Sequence, residues 1–336
     1  MAGVQGSALA AAVSNAGGLG SLPAAMLGSD ALRKELTTLA RLTSKPVNVN
    51  FFCHTTPTVD TVREAQWRQA LTPYYDALGL SVDAIPVLPG RTPFDHAAAD
   101  VLDDIRPAVV SFHFGLPTPE LMARVRAMGS KVIASATTIE EARWLESRGV
   151  DAIIAQGLEA GGHRGHFLSH DLTLQMGTFA LTPQIVQSVK TPVIAAGGIA
   201  DAAGVAAALA LGAVGAQIGT AYLLCPECTT SAVHRAALKS ERGRHTALTN
   251  LFSGRPARGI VNRLIEDFGS ISDLPPAFPL AASALGPLQN KAESEGRGDF
   301  SPLWAGQNSG KCMEAGAAEV TRQLAAGLPR KPGPMV

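Results

Sequence analysis

The chain has 336 residues, enough for one large barrel with an extension or for two domains of about 150 residues each. Its 28 basic and 28 acidic side chains cancel, so no electrostatic footprint for a nucleic acid or an anionic lipid surface exists, and 5% aromatic residues argue against a platform for stacked bases. With 46% hydrophobic and 17% charged residues the chain is too apolar for disorder, and 34 Gly and 22 Pro without period exclude collagen while announcing many turns.

Apolar runs of four to six residues alternate with longer stretches of helical period, the pattern of a parallel α/β fold. Strands are predicted at Gly18 to Leu22, Val47 to Phe51, Ala108 to Phe112, Lys131 to Ala136, Ala152 to Gln156, Val193 to Ala196 and Val214 to Ile218. Helices are predicted at Ser7 to Asn15, Asp30 to Leu42, Thr118 to Met128, Ile139 to Ser147, Phe179 to Val189 and Asp201 to Leu211. An insertion near residues 59–106 holds more than one helix. The uncharged stretch Ala202 to Pro226 is long enough for a membrane span, but its glycines fit a short helix, a stop and a buried strand better. The alternation implies a TIM (β/α)8 barrel over residues 1–240. Residues 241–336 form an appended, mostly helical segment, with a tail from Pro329 to Val336 expected to fray. The first predicted helix is preceded only by Met1 to Gly6, so the barrel's first strand is expected to be missing or truncated, with an eighth strand upstream. Four cysteines and no Lys or Arg before Arg33 suit a cytoplasmic protein without a signal peptide.

In such barrels the chemistry sits at the C-terminal strand ends, with phosphate in the loops after strands seven and eight. The strand ending at Ala196 runs into Gly197-Gly198, and that ending at Ile218 into Gly219-Thr220; both loops read as phosphate cradles rather than ordinary turns. The densest polar cluster is Gln156 to His166, where Gly161-Gly162 can aim His163 inward as a general base. A metal set of His163, His166 and His170 matches no standard zinc spacing. His113, after another strand, reaches the same face or is a satisfied core residue. Period two places Asn48 and Asn50 on one face of their strand, where inward amides need a ligand or a network. Cys225-Pro226-Glu227-Cys228 lacks a second pair and reads as structural thiols, and Cys53 could line the pocket.

Together these residues resemble the nitronate monooxygenases, formerly 2-nitropropane dioxygenases, of bacterial class I. The resemblance spans nearly the whole chain. It rests on Met1 to Val4, Ala11 to Gly20 (AAVSNAGGLG), Asn48 to His54 (NVNFFCH), Ser111 to Gly115 (SFHFG), Ala155 to Gly165 (AQGLEAGGHRG), Ala195 to Ile199 (AAGGI), Gln217 to Thr220 (QIGT) and Trp304 to Asn308 (WAGQN). It implies a TIM barrel with non-covalent FMN bound by Met1, Asn50, Gln156, Gly161, Gly197, Gly198, Gln217, Gly219 and Thr220, with His163 as the active-site histidine and His113 as a second pocket candidate. Phe278 to Gly286 lacks the Tyr and Lys that some relatives carry near the substrate entrance. The implied reaction is oxidation of an alkyl nitronate such as propionate 3-nitronate by O2 to a carbonyl compound and nitrite, through one-electron transfer to flavin. A neutral nitroalkane would need His163 to remove its α-proton, and Arg164 or backbone N–H groups could hold the nitro oxygens. The expected partners are small molecules, with homo-oligomerisation left open. The rival readings are an NAD(P)H-dependent enoyl-thioester or quinone reductase on the same barrel, a flavin-free phosphate-binding barrel, and a non-catalytic remnant.

Overall fold

The computed structural model of the protein describes residues 2–85 and 91–329. Its strands are, in chain order, β1 (Gly20–Pro23), β2 (Val47–Phe52), β3 (Val109–His113), β4 (Lys131–Ala136), β5 (Ala152–Gln156), β6 (Gly162–His163), β7 (Val193–Ala196), β8 (Gly215–Gln217), β9 (Thr246–Thr249) and β10 (Ala257–Ile260). Seven of them form one parallel, curled sheet in the order β1-β2-β3-β4-β5-β7-β8, a TIM-barrel-like arrangement with a helix after nearly every strand. All seven predicted strands are present. Register is fixed by buried apolar positions: Val49 faces Val110, Val110 faces Val132, and Ala155 faces Ala195, all fully buried.

The flanking helices are α1 (Ser7–Asn15), α2 (Ser29–Leu42), α3 (Thr61–Ala77), α4 (His96–Ile105), α5 (Pro119–Ala127), α6 (Ile139–Ser147), α7 (Thr178–Ser188) and α8 (Ala202–Ala210). Several starts follow from capping chemistry: Thr118 caps α5 with Pro119 in its first turn, Thr138 caps α6, and the Asp201 carboxylate accepts from Gly204 N at 2.9 Å to open α8. In α2, Leu32, Leu36 and Leu39 form the buried stripe that packs on the sheet. The first strand starts two residues later than the sequence suggests, because Gly17 and Gly18 donate to Ser14 O and Val13 O and so close the end of α1. Gly20 is fixed by packing, since a Cβ there would lie 1.8 Å from the Ala10 carbonyl oxygen.

Beyond β8 come α9 (Ala232–Lys239), α10 (Arg263–Phe268), α11 (Ala282–Ser294) and α12 (Ala317–Ala325), the last three within residues 241–336, so the C-terminal segment carries helices, joined by long irregular stretches. It also holds the β9–β10 hairpin, which the sequence reading did not foresee. β10 pairs with β6 through Ala257–His163 and Arg258–Gly162, and so reaches back over the barrel mouth. A second core joins the insertion to this segment: Trp67, Leu71 and Tyr75 of α3 pack against Leu285, Leu288 and Ala292 of α11 with Leu251, Phe252 and Phe300. Met1 and the tail residues from Arg330 to Val336 lie outside the described residues, as do residues 86–90 within the insertion. No helix among the described residues is long and apolar enough to cross a membrane.

Candidate active site

A cavity of about 630 Å³ opens over the C-terminal ends of the strands, within the size range of cofactor pockets. Every expected site residue among the described residues lines it: His113, His163, Asn50, Gln156, Gly161, Gly197, Gly198, Gln217, Gly219 and Thr220. Residues of the two sheet edges, among them Ser21 beside β2 and Gln217 on β8, face into the same space.

The glycine loops are built for close backbone approach. Gly197 and Gly198 have φ of 118° and 71°, and a Cβ on Gly197 would lie 2.7 Å from Thr178 Oγ1. Among the described residues the N–H groups of Gly198 and Gly219 donate to no backbone or side-chain acceptor. The C-terminal segment is laced onto both loops: Gly306 N donates to Thr220 Oγ1 at 2.9 Å and Asn308 Nδ2 donates to Gly198 O at 2.9 Å. A Cβ on Gly161 would lie 2.5 Å from Gly306 N, so these segments approach as closely as backbone allows.

His163 is set at the other side of the cavity by the β6–β10 pairing. Its Nε2 lies 2.8 Å from Ser253 Oγ, and its ring lies 5.3 Å from that of Phe278 and 5.5 Å from that of Trp304, centroid to centroid. Burial, then the positive charge of Arg91, holds its pKa well below the ordinary histidine value, so the imidazole is neutral at neutral pH. His113 is occupied on both ring nitrogens: Nε2 donates to His163 O at 3.1 Å and Nδ1 lies 3.1 Å from Ser135 Oγ. Burial pushes its pKa down to about 3. His113 therefore holds the backbone of the His163 loop. Gln156 does the same, donating to His163 O at 2.9 Å and accepting from Gly165 N at 2.7 Å.

The two inward asparagines form a network. Asn48 Nδ2 donates to Ser21 Oγ and Ser111 Oγ, and Asn50 Nδ2 to Ser111 Oγ, each at 2.8 Å. Asn48 Oδ1 is left buried without a partner at the cavity wall, a polar atom awaiting a donor.

Arg164 corrects the sequence reading. It is fully buried outside the cavity lining, and donates to Gly157 O and Gln156 O at 2.6 Å and to Gln175 Oε1, closing the end of β5 rather than facing a ligand. The guanidinium at the cavity is Arg91, which composition and spacing did not single out. Ser253, Phe278, Trp304 and Asn308 come from the C-terminal segment; of these only Trp304 and Asn308 carry a sequence signal, the WAGQN string. Cys53 does not line the cavity, and burial raises its thiol pKa. Cys225 and Cys228 are buried in an apolar cluster, with thiols pushed up to about 12 and about 11, as structural thiols would be. Among the described residues no three His, Cys, Asp or Glu side chains converge as a metal site.

The sequence profile of the nitronate monooxygenase family matches residues 1–327. A curated nitronate monooxygenase of Paraburkholderia phytofirmans is 43% identical, covering 96% of this chain and 89% of that protein. The chain belongs to the nitronate monooxygenase family. It is therefore an oxidoreductase of that family, acting in its coarse chemistry on nitronates. A solved nitroalkane oxidase from Streptomyces ansochromogenes superposes with a TM-score of 0.88 at 37% identity, covering 97% of this chain and 93% of that one. The FabK structure from Thermotoga maritima follows the same fold with a TM-score of 0.71 at 29% identity, over 97% of this chain and 90% of that one. The matched region, residues 1–327, includes both glycine loops and the His163 loop that line the cavity.

Proposed function

We propose that this enzyme oxidises small alkyl nitronates, such as propionate 3-nitronate, to a carbonyl compound and nitrite, with FMN as cofactor and O2 as oxidant. The observation that carries this reading is a single cavity joining the glycine loops after the neighbouring strands β7 and β8 to a neutral histidine on the opposite wall. The wall fits FMN. Free N–H groups at Gly198 and Gly219 suit a phosphate, the unpartnered Asn48 Oδ1 suits a donor on the ring system, and Asn50, Gln156, Gly161, Gly197, Gln217 and Thr220 surround the space between. When bound, FMN supplies a one-electron acceptor that can be reoxidised by O2. In this reading residues 1–240 hold the cofactor, and residues 241–336 complete the substrate side through Ser253, Phe278 and Trp304.

The protein's own part is to bind the anion, exclude water and, for a neutral nitroalkane, take a proton. Phe52, Phe114 and Phe278 pack together beside His163, with ring centroids 4.7 to 6.2 Å apart, and keep that corner dry. Ser253 Oγ lies 3.3 Å from Arg255 O; with its hydrogen donated there, His163 Nε2 donates to Oγ and Nδ1 keeps its lone pair for the substrate.

The test is an anaerobic visible-absorbance titration of FMN-loaded protein with propionate 3-nitronate, with NADH in parallel. Rapid reduction of the flavin by the nitronate and none by NADH is expected. Bleaching by NADH alone would replace this reading with an NAD(P)H-dependent reductase on the same fold.

A further inference from the structure

Among the described residues Arg91 has no acidic or hydrogen-bond-accepting partner for its guanidinium. It lies within the insertion and reaches into the cavity, where it is the only lysine or arginine among the described lining residues. The only acid on that lining, Glu159, spends its carboxylate on Thr178, accepting from the backbone N at 2.8 and 3.0 Å and from Oγ1 at 2.8 Å. No described residue accepts a hydrogen bond from the Arg91 guanidinium, and residues 86–90 contain no acid. The group is nevertheless held in place. Its Cζ lies 5.5 Å from the Phe278 centroid and 6.0 Å from that of Phe52, and its carbonyl oxygen accepts from His54 Nε2 at 2.9 Å. Phe52 and Phe278 are the same rings that flank His163, at 6.2 and 5.3 Å. A desolvated guanidinium without a counter-ion is costly, and a fork of donors aimed at a cavity is what a planar two-oxygen anion requires.

We propose that Arg91 binds the substrate beside His163 through a planar, two-oxygen anionic group. The inference rests on the nitronate reading above. Two groups share the required chemistry, the nitronate oxygens and a carboxylate elsewhere on the substrate.

The test uses FMN-loaded wild-type protein and Arg91→Gln. The substitution should raise KM for an anionic substrate by roughly 10- to 100-fold, the range for a lost charge-assisted pair, with kcat changed far less. An equal rise for ethyl nitronate and propionate 3-nitronate places the nitronate oxygens on Arg91; a rise for propionate 3-nitronate alone places its carboxylate there. An unchanged KM for both overturns the proposal. Calorimetric binding of propionate against its neutral isostere propionamide supplies a readout without turnover: wild type should prefer propionate, and Arg91→Gln should lose that preference. If wild type does not oxidise nitronates at all, the proposed function fails while the propionate arm still decides the role of Arg91. Should Arg91→Gln not fold, Arg91→Lys carries the test alone. It keeps charge and stem but not the fork, so a raised KM supports the proposal and an unchanged one sinks it.

Discussion

His163 stands where three distant segments meet: its own Gly-rich loop, Ser253 from the C-terminal segment and Arg91 from the insertion. A neutral imidazole in that position matters only when a proton must leave carbon, because a nitronate has already lost it. His163→Ala is therefore expected to keep FMN and to lose nitroalkane turnover by roughly 10²- to 10⁴-fold, while nitronate turnover falls much less. Comparing kcat/KM for nitroethane and ethyl nitronate checks this, and equal losses would remove His163 from proton transfer. How much of the site could be read in the sequence follows from where its residues lie. Gly197-Gly198 and Gly219-Thr220 follow strands within two residues and Gln156 ends one, so strand ends place them at the barrel mouth, while His163 is carried there by the Gly-rich loop that follows β5. Arg91 and Ser253 lie in irregular stretches with no periodicity to aim them, and only tertiary contact brings them in. Arg164, next to His163 in sequence, could by its charge hold the nitro oxygens, yet successive residues in extended chain point to opposite sides, and its side chain turns into the protein.

Helices α3 and α11 form an element of their own above the barrel. Trp67 and Tyr75 of α3 are 1% exposed, and their polar atoms donate to carbonyls around the start of α11, Nε1 to Ala281 O at 3.3 Å and the hydroxyl to Ala284 O at 2.6 Å. Trp67→Ala should cost about 3–5 kcal/mol in denaturant unfolding, as large aromatic truncations in a packed core do. Because the barrel core is separate, far-UV circular dichroism of the variant should stay close to that of wild type, while KM rises as the Phe278 and Trp304 wall loosens. A fully native KM would mean that this layer does not support the site. The insertion was legible as helical, but its partner was not, since nothing local in α3 points to a segment some two hundred residues away. The β9–β10 hairpin escaped for a related reason. All four residues of β10 are buried, so it shows no alternation, and Arg258 and Gly259 within it read as loop. The parallel strands, by contrast, are predominantly apolar runs bounded by helical stretches, which is why their order and extent could be read to within one or two residues.

At the scale of the whole molecule, burial of neutral histidines ties stability to pH. His166 is 1% exposed with neither ring nitrogen partnered, and His234 is 4% exposed. Burial pushes their pKa values down to about 3 and about 4 from the ordinary 6.5. Below pH 6.5 the unfolded chain therefore binds protons that the folded chain refuses, so stability falls as pH falls through the window from 6.5 down to those folded values. At pH 5 each of the two costs on the order of 2 kcal/mol, from about 1.4 kcal/mol per pH unit over one and a half units. Carboxylates such as Asp151, with its pKa lowered beside Lys131, lose their contribution only at lower pH, so the onset separates the two causes. The expected result is a Tm several degrees lower at pH 5 than at pH 7.5, measured with FMN in excess. His166→Leu, which removes an imidazole with no hydrogen bond to lose, should reduce that drop by roughly a quarter, since His113 and His163 are held neutral by burial in the same way as His166 and His234. A drop of the same size in the variant would mean that His166 is protonated in the folded state, and that the acid sensitivity of the protein arises elsewhere.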